Sequence, residues 1–341
     1  MKQESIQHLF SQIARQAPSS LAVDAGRKRI SYGELEERAE KLAYALRACG
    51  VTKGSVTGIF TSDSIDIITG ILGTLKAGGA FCPLDPGFPD KRLEIMSGSA
   101  SPQALITSSQ FLGRLSNLIT GFSSKKVILL DDGPARPCDG VEILRLSAIK
   151  APEEETNFFS DSDPDDPCSI YFTSGSTGKP KAILGRLKGI DHFARWEAEA
   201  LSVGAGTRVS QLASPSFDGF LKDVFVPLCA GGVVCAPETR KMVLEPERLI
   251  DWIDVEGIEV LHCVPSVLRS LLNQGLDAKY FSGLKWVVLA GEALLPADVR
   301  RWMEVFGERI GLVNLYGPTE TTVTKLYHFV QAEDRERTSI P

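Results

Sequence analysis

Ile6, Leu9, Phe10 and Ile13 recur at helical spacing, which predicts an amphipathic helix over residues 4–16. Leu21-Ala-Val-Asp24 and Arg27-Lys-Arg-Ile30 read as a strand pair around a turn at Gly26. Ser31 with Glu34 three residues later is a capping box, so the next helix starts there and runs through Leu46. Val56-Thr-Gly-Ile-Phe60 is a buried strand, and the helix from Ser64 to Ala77 stops at Gly78-Gly79. Ala104–Thr107 and Lys126–Leu130 continue the strand series, and the rhythm resumes at Cys168–Phe172, Arg208–Leu212, Val233–Ala236, Val260–Cys263, Trp286–Ala290 and Leu312–Leu315. Strands alternating with helices predict an α/β chain built on mostly parallel sheets with helices on both faces. The acidic, aperiodic stretch 151–166 (APEEETNFFSDSDPDD) reads as a connector, giving one lobe over 1–165 and a second over 166–341.

Composition narrows the class of partner. The chain has 341 residues, 43% of them apolar and 23% charged, and a net charge of −6. Lys and Arg are scattered singly, so no basic stripe offers itself to nucleic acid or to an anionic membrane, and neither partner is expected. Any phosphate must be held locally. The seven cysteines are widely spaced without a CxxC pair and only four histidines are present, which argues against zinc and for unpaired buried thiols in a reducing compartment. The N-terminus lacks an apolar signal segment, and no run of about 18 apolar residues occurs. The expected location is cytoplasmic.

The richest chemistry lies at Tyr171-Phe-Thr-Ser-Gly-Ser-Thr-Gly-Lys-Pro-Lys181. An apolar strand runs into small, hydroxylic and glycine residues and then two lysines. Glycines let successive backbone amides face inward as an anion nest, hydroxyls add donors, and Lys179 and Lys181 add charge. A Walker-type loop needs GxxxxGK followed by Ser or Thr. Here Thr173 stands where its first glycine belongs and Pro180 follows Lys179, so this is a different phosphate loop.

Thr173–Lys181 resembles the phosphate signature of adenylate-forming enzymes, the superfamily of acyl-CoA synthetases, luciferase-like ligases and the adenylation domains of nonribosomal peptide synthetases. Ile30-Ser-Tyr-Gly-Glu-Leu35 resembles the first core motif of those adenylation domains. Leu75-Lys-Ala-Gly-Gly-Ala-Phe-Cys-Pro-Leu-Asp-Pro86 is similar to the second, with Cys82 where Tyr or Val is usual. Phe217–Phe225 is similar to the fourth, and Asn314-Leu-Tyr-Gly-Pro-Thr-Glu-Thr-Thr322 to the fifth. Five ordered motifs cover nearly the whole chain and imply the large N-terminal core of such an enzyme, as two lobes of mostly parallel sheet flanked by helices.

The resemblance implies a reaction in which an amino acid carboxylate attacks the α-phosphate of Mg·ATP. Aminoacyl-AMP and pyrophosphate result, and the acyl group then passes to the phosphopantetheine thiol of a peptidyl carrier protein. By the same resemblance Thr173, Ser174, Gly175, Ser176, Thr177, Gly178, Lys179 and Lys181 hold the outer phosphates. Tyr316 lies against adenine, Asn314 bonds its exocyclic amine, Gly317 is a further nucleotide-binding residue, and Gly291 and Glu292 pass beside the nucleotide. Thr319 contacts the α-phosphate and Glu320 gives an oxygen to Mg²⁺, so Lys179, Thr319 and Glu320 are the implied catalytic set. Asp218 pairs with the substrate's α-ammonium, since a buried carboxylate needs a cation. Its rival reading is a helix cap. Gly219, Lys222, His262, Val288, Ala290, Leu315, Val323 and Thr324 complete the implied pocket. Lys222 and His262 among small or apolar walls suggest a polar or acidic substrate side chain, while an Asp218–Lys222 i,i+4 pair is the plainer alternative.

Thr338-Ser-Ile-Pro341 matches only the opening of a later family segment. The ribose-binding motif, the hinge and the small C-terminal domain with its lysine are absent, so this extent of chain is expected to bind its substrates and adenylate poorly. Alternatives are an acyl-CoA or aryl-acid ligase of the same superfamily, and a catalytically crippled binding module.

Overall fold

A computed structural model describes residues 4–115, 122, 125–134, 140–150, 162–174 and 180–341. Five residues of the expected phosphate loop, Gly175 to Lys179, and most of the expected connector lie outside the described residues. The chain divides into two compact units, Met1–Ser19, Ser31–Asp191 and Ser214–Asp218 in the first, Ser20–Ile30, His192–Ala213 and Gly219–Pro341 in the second.

Fifteen strands are described, and the first two come early: β1 Leu21–Ala25 and β2 Lys28–Ser31. The strands β3 Val56–Phe60, β4 Ala80–Pro83, β5 Ala104–Thr107, β6 Lys126–Leu129, β7 Glu142–Arg145, β8 Pro167–Ser174 and β9 Pro180–Arg186 form the sheet of the first unit. Its order is β7-β6-β5-β3-β4-β8-β9, parallel except for the β8/β9 pair. Helices α1 Ile6–Gln16, α2 Tyr32–Ala48, α3 Ser64–Lys76 and α4 Asp90–Ala100 belong to this unit. The Ser31/Glu34 capping box is present in full at the start of α2. Asp63, one residue before the expected helix start, caps α3 by accepting from Asp66 N–H. Phe60, Leu84, Leu93, Leu105, Val127, Ile170 and Phe172 pack as an apolar core on one face.

The strands β10 Arg208–Ser210, β11 Val233–Cys235, β12 Val260–Cys263, β13 Trp286–Leu289, β14 Gly311–Tyr316 and β15 Leu326–Phe329 build the second sheet, in the order β15-β14-β13-β12-β10-β11-β1-β2. The helices that follow are α5 Leu187–Ala200, α6 Phe220–Leu228, α7 Pro246–Val255, α8 Pro265–Leu272 and α9 Pro296–Phe306. Trp302, Phe281, Phe306, Leu261 and Val287 form its main core.

The division differs from the one expected at residue 165. Local periodicity cannot show which sheet a strand joins. β8 lies beyond that boundary yet pairs with β4 (Phe81 opposite Ser169), and β1 near the start pairs in parallel with β11 (Val23 opposite Val234). Both are long-range hydrogen-bonded choices, and they carry residues 167–191 into the first unit and 20–30 into the second. The mostly parallel, helix-flanked architecture is as the strand–helix rhythm implies.

Of the seven cysteines, the six described form no disulfide, and five are buried. Burial pushes the thiols of Cys82, Cys168, Cys235 and Cys263 up to about 12, so they stay protonated and unreactive near neutral pH. No helix among the described residues is long and apolar enough to cross a membrane.

Candidate active site

In the first unit β8 and β9 pair antiparallel up to Ser174 opposite Pro180, with Thr173 opposite Lys181; residues 175–179 lie outside the described residues. The sequence foresees β8 but not the antiparallel strand β9. Lys181 is exposed on β9.

Asp218 ends the 214–218 segment of the same unit and is half-buried. Ser214 Oγ ties that segment down by donating to Asp85 Oδ2 at 3.1 Å. The helix-cap reading of Asp218 does not describe the local geometry: α6 starts at Phe220, Gly219 is its N-cap, and no side chain caps it. With Asp218 outside the helix, the i,i+4 argument for an ion pair to Lys222 loses its basis as well.

In the second unit the parallel register sets His262 beside Val288, and Val288 beside Val313. Side chains alternate along a strand, so Ala290 and Leu315, two residues on, share that face. Leu261, Cys263, Val287 and Leu289 turn to the other face and its core. Four of the expected pocket residues are thus aligned by register alone.

Above this face lies a buried charge cluster that the sequence reading only half finds. His262 is 1% exposed; its Nδ1 meets Asp223 Oδ1 at 3.0 Å and its Nε2 is 2.7 Å from Glu197 Oε1. Asp223 Oδ2 accepts from the backbone N–H groups of Leu212 (3.0 Å) and Ala213 (2.9 Å). Burial and the nearby Lys222 charge disfavour the imidazolium, but the Glu197 and Asp223 carboxylates outweigh them, so His262 holds its proton above the ordinary histidine range. The signal for Asp223 was available: Phe220–Leu228 is apolar except for Lys222-Asp223, and a charged pair inside a buried helix demands partners. Lys222 is 4% exposed, and its ammonium makes no ion pair or hydrogen bond among the described residues.

The raised His262 value fixes a pH dependence. A group held protonated by the fold stabilises it fully below the unfolded histidine value, and that contribution disappears as pH climbs through the folded one. Resistance to urea is therefore expected to fall as pH rises above the ordinary histidine value of about 6.5, and His262→Gln is expected to flatten that fall; an identical slope in the variant contradicts the assignment.

A cleft of about 880 Å³ in the second unit is lined by Gly291, Glu292, Asn314, Tyr316, Gly317 and His328, among others. It opens at the C-terminal ends of β13 and β14, where open parallel sheets bind ligands. The Tyr316 ring is 65% exposed. Asn314 Nδ2 donates to the Pro341 carbonyl at 2.6 Å, while its Oδ1 is buried without a partner. A flat ring beside an unanswered acceptor fits an adenine with its exocyclic amine. Gly291 has φ +88°, a left-handed conformation that favours glycine. The Glu292 carboxylate is engaged by Ser266 N–H (2.9 Å), Ser266 Oγ (2.8 Å) and Arg269 (3.3 Å) at the start of α8, which leaves the backbone at 291–292 as what lines the cleft.

The segment from Gly317 to Thr324 folds tightly back on itself. A Cβ on Gly317 would meet Val323 O at 2.5 Å and Thr324 Cα at 2.8 Å. Thr322 and Val323 have φ of 62° and 60°, a strained setting for β-branched residues. This loop holds Thr319 and the exposed Glu320 on a single 3-10 turn. Thr324 Oγ1 is buried and unpartnered. Among the described residues no group of three or more His, Cys, Asp or Glu could hold a metal ion. A metal at Glu320 would draw its remaining ligands from phosphate and water, as magnesium does.

The family model described as AMP-binding enzyme matches residues 10–341. Bacitracin synthase 2 of Bacillus licheniformis is 32% identical over 333 residues, 96% of this chain and 12% of that protein. The chain spans only a small part of that relative. Among solved structures, IdnL7 aligns with a TM-score of 0.85 at 28% identity, covering 99% of this chain and 66% of that one. The nonribosomal peptide synthetase FmoA3, in its alpha-methyl-L-serine-AMP bound form, aligns with a TM-score of 0.79 at 26% identity over 99% of this chain and 35% of that one. The strand-end cleft and these likenesses together place the chain in the AMP-binding enzyme family, as an adenylation domain of the nonribosomal peptide synthetase kind.

Proposed function

We propose that the chain activates the carboxylate of an amino acid with Mg·ATP, giving aminoacyl-AMP and pyrophosphate for transfer to the phosphopantetheine thiol of a carrier protein. The observation that carries the adenosine half is the unpartnered Asn314 Oδ1 beside the open Tyr316 ring in the cleft. In this reading Thr173, Ser174, Lys181 and residues 175–179, Lys179 among them, hold the outer phosphates, and Thr319 contacts the α-phosphate. Glu320 offers an oxygen to the magnesium that accompanies the nucleotide; that cation offsets phosphate charge as pyrophosphate leaves. Asp218 receives the α-ammonium, which favours an amino acid over an aryl or acyl acid.

The substrate side chain is acidic or carries an amide. His262 is ion-paired with Glu197 and Asp223, which leaves Lys222 to meet the substrate. No anion pairs with the Lys222 ammonium among the described residues, and a substrate carboxylate or amide oxygen would supply a partner. Lys222→Met is expected to raise the urea midpoint of the free chain and to weaken binding of the preferred aminoacyl-adenylate analogue. Calorimetric titration with non-hydrolysable aminoacyl-adenylate analogues of the standard amino acids tests the class. Glu, Asp or Gln should bind best; preference for Leu or Phe ends the acidic reading.

A further inference from the structure

Tyr171 is placed where phenylalanine would pack equally well. It stands on β8, two residues before Thr173. Its neighbours Ile170 and Phe172 turn into the apolar core, so the alternation of the strand sends Tyr171 to the opposite face. There its ring meets Phe81 edge-on, with centroids 6.3 Å apart at 85°. The side chain is 4% exposed, and its hydroxyl is sealed from solvent with no hydrogen-bond partner. Burying an unanswered hydroxyl costs stability that a phenyl ring would not forfeit.

The surroundings indicate what the hydroxyl is for. After burial itself, the Asp218 carboxylate of the same unit is the leading influence holding the phenol proton on, so a negative charge stands near the ring oxygen. The phenol makes no hydrogen bond to that carboxylate or to any other group among the described residues. Ser216, two residues before Asp218, holds out a second buried hydroxyl without a partner. A primary ammonium matches this set: it brings three N–H donors and a positive charge, and both a carboxylate and a phenol oxygen accept from it.

We propose that Tyr171 is a substrate-binding residue, its phenol oxygen accepting a hydrogen bond from the same α-ammonium that Asp218 pairs with. The inference rests on the amino-acid reading of Asp218 given above. It adds a second acceptor, so the amine is gripped from two sides and its direction is set as well as its charge.

The test is Tyr171→Phe in the 341-residue chain, titrated with two sulfamate-linked acyl-adenosines that differ only in the α-amine. The expected result is a loss of about tenfold in affinity for the amine-bearing ligand, with the des-amino ligand unchanged within about twofold. The urea midpoint of the variant should equal or exceed that of the parent, because the unanswered hydroxyl is gone. Equal changes for both ligands, or a lower midpoint without a selective loss, would overturn the proposal in favour of a purely structural hydroxyl. A parent chain that does not itself prefer the amine-bearing ligand removes the Asp218 reading, and the proposal with it.

Discussion

Asp218→Asn is expected to weaken binding of an aminoacyl-adenylate analogue by about 2–5 kcal/mol, thirtyfold or more, while AMP affinity stays near that of the parent. The substitution keeps the shape and removes the charge. An α-ammonium taken out of water then loses its counter-ion, and the amide NH₂ that replaces one oxygen faces it as a donor. The backbone should tolerate the change, since Asp218 neither caps α6 nor lies within it. Calorimetry with the analogue and with AMP separates the two effects. Equal loss for both ligands would show that the substitution disturbs the segment rather than the amine site.

Gly317→Ala is the other large effect. Its new methyl would stand 2.5 Å from the Val323 carbonyl oxygen and 2.8 Å from Thr324 Cα, both backbone atoms that no rotamer change can move aside. The loop must open, and with it go Thr319, Glu320 and the floor of the cleft under Tyr316. A displacement of about 1 Å at reacting groups costs about a hundredfold. Pyrophosphate exchange is expected to fall by that order, with a smaller drop in stability because the loop is only partly buried. The strain already carried by Thr322 and Val323 leaves little slack to absorb the methyl. An unchanged exchange rate in Gly317→Ala contradicts the role given to this loop.

What sequence could show here depended on range. The Ser31/Glu34 cap, the helix ends at Gln16 and Lys76 and the strands on either side of them are set by neighbours within four residues, and the pattern reads them. The glycine, hydroxyl and lysine residues at 173–181 single that segment out in the sequence, but 175–179 lie outside the described residues. Sheet membership was not legible: β1 joins β11 and β8 joins β4 across long stretches of chain. His262 shows the same limit within the site. Its residue type suggested a pocket wall, but its state is decided by Asp223 and Glu197, which reach it only through tertiary packing. Tyr171 sat inside the most closely read motif, and only its missing partner in three dimensions distinguishes it from its apolar neighbours.

The most direct measurement is incorporation of labelled pyrophosphate into ATP by the purified chain, with magnesium, against an enzyme-free background. Exchange that requires an α-amino acid, and that Glu, Asp or Gln supports best, is the predicted result. The exchange is expected to be slow; exchange driven equally well by des-amino acids contradicts the assignment.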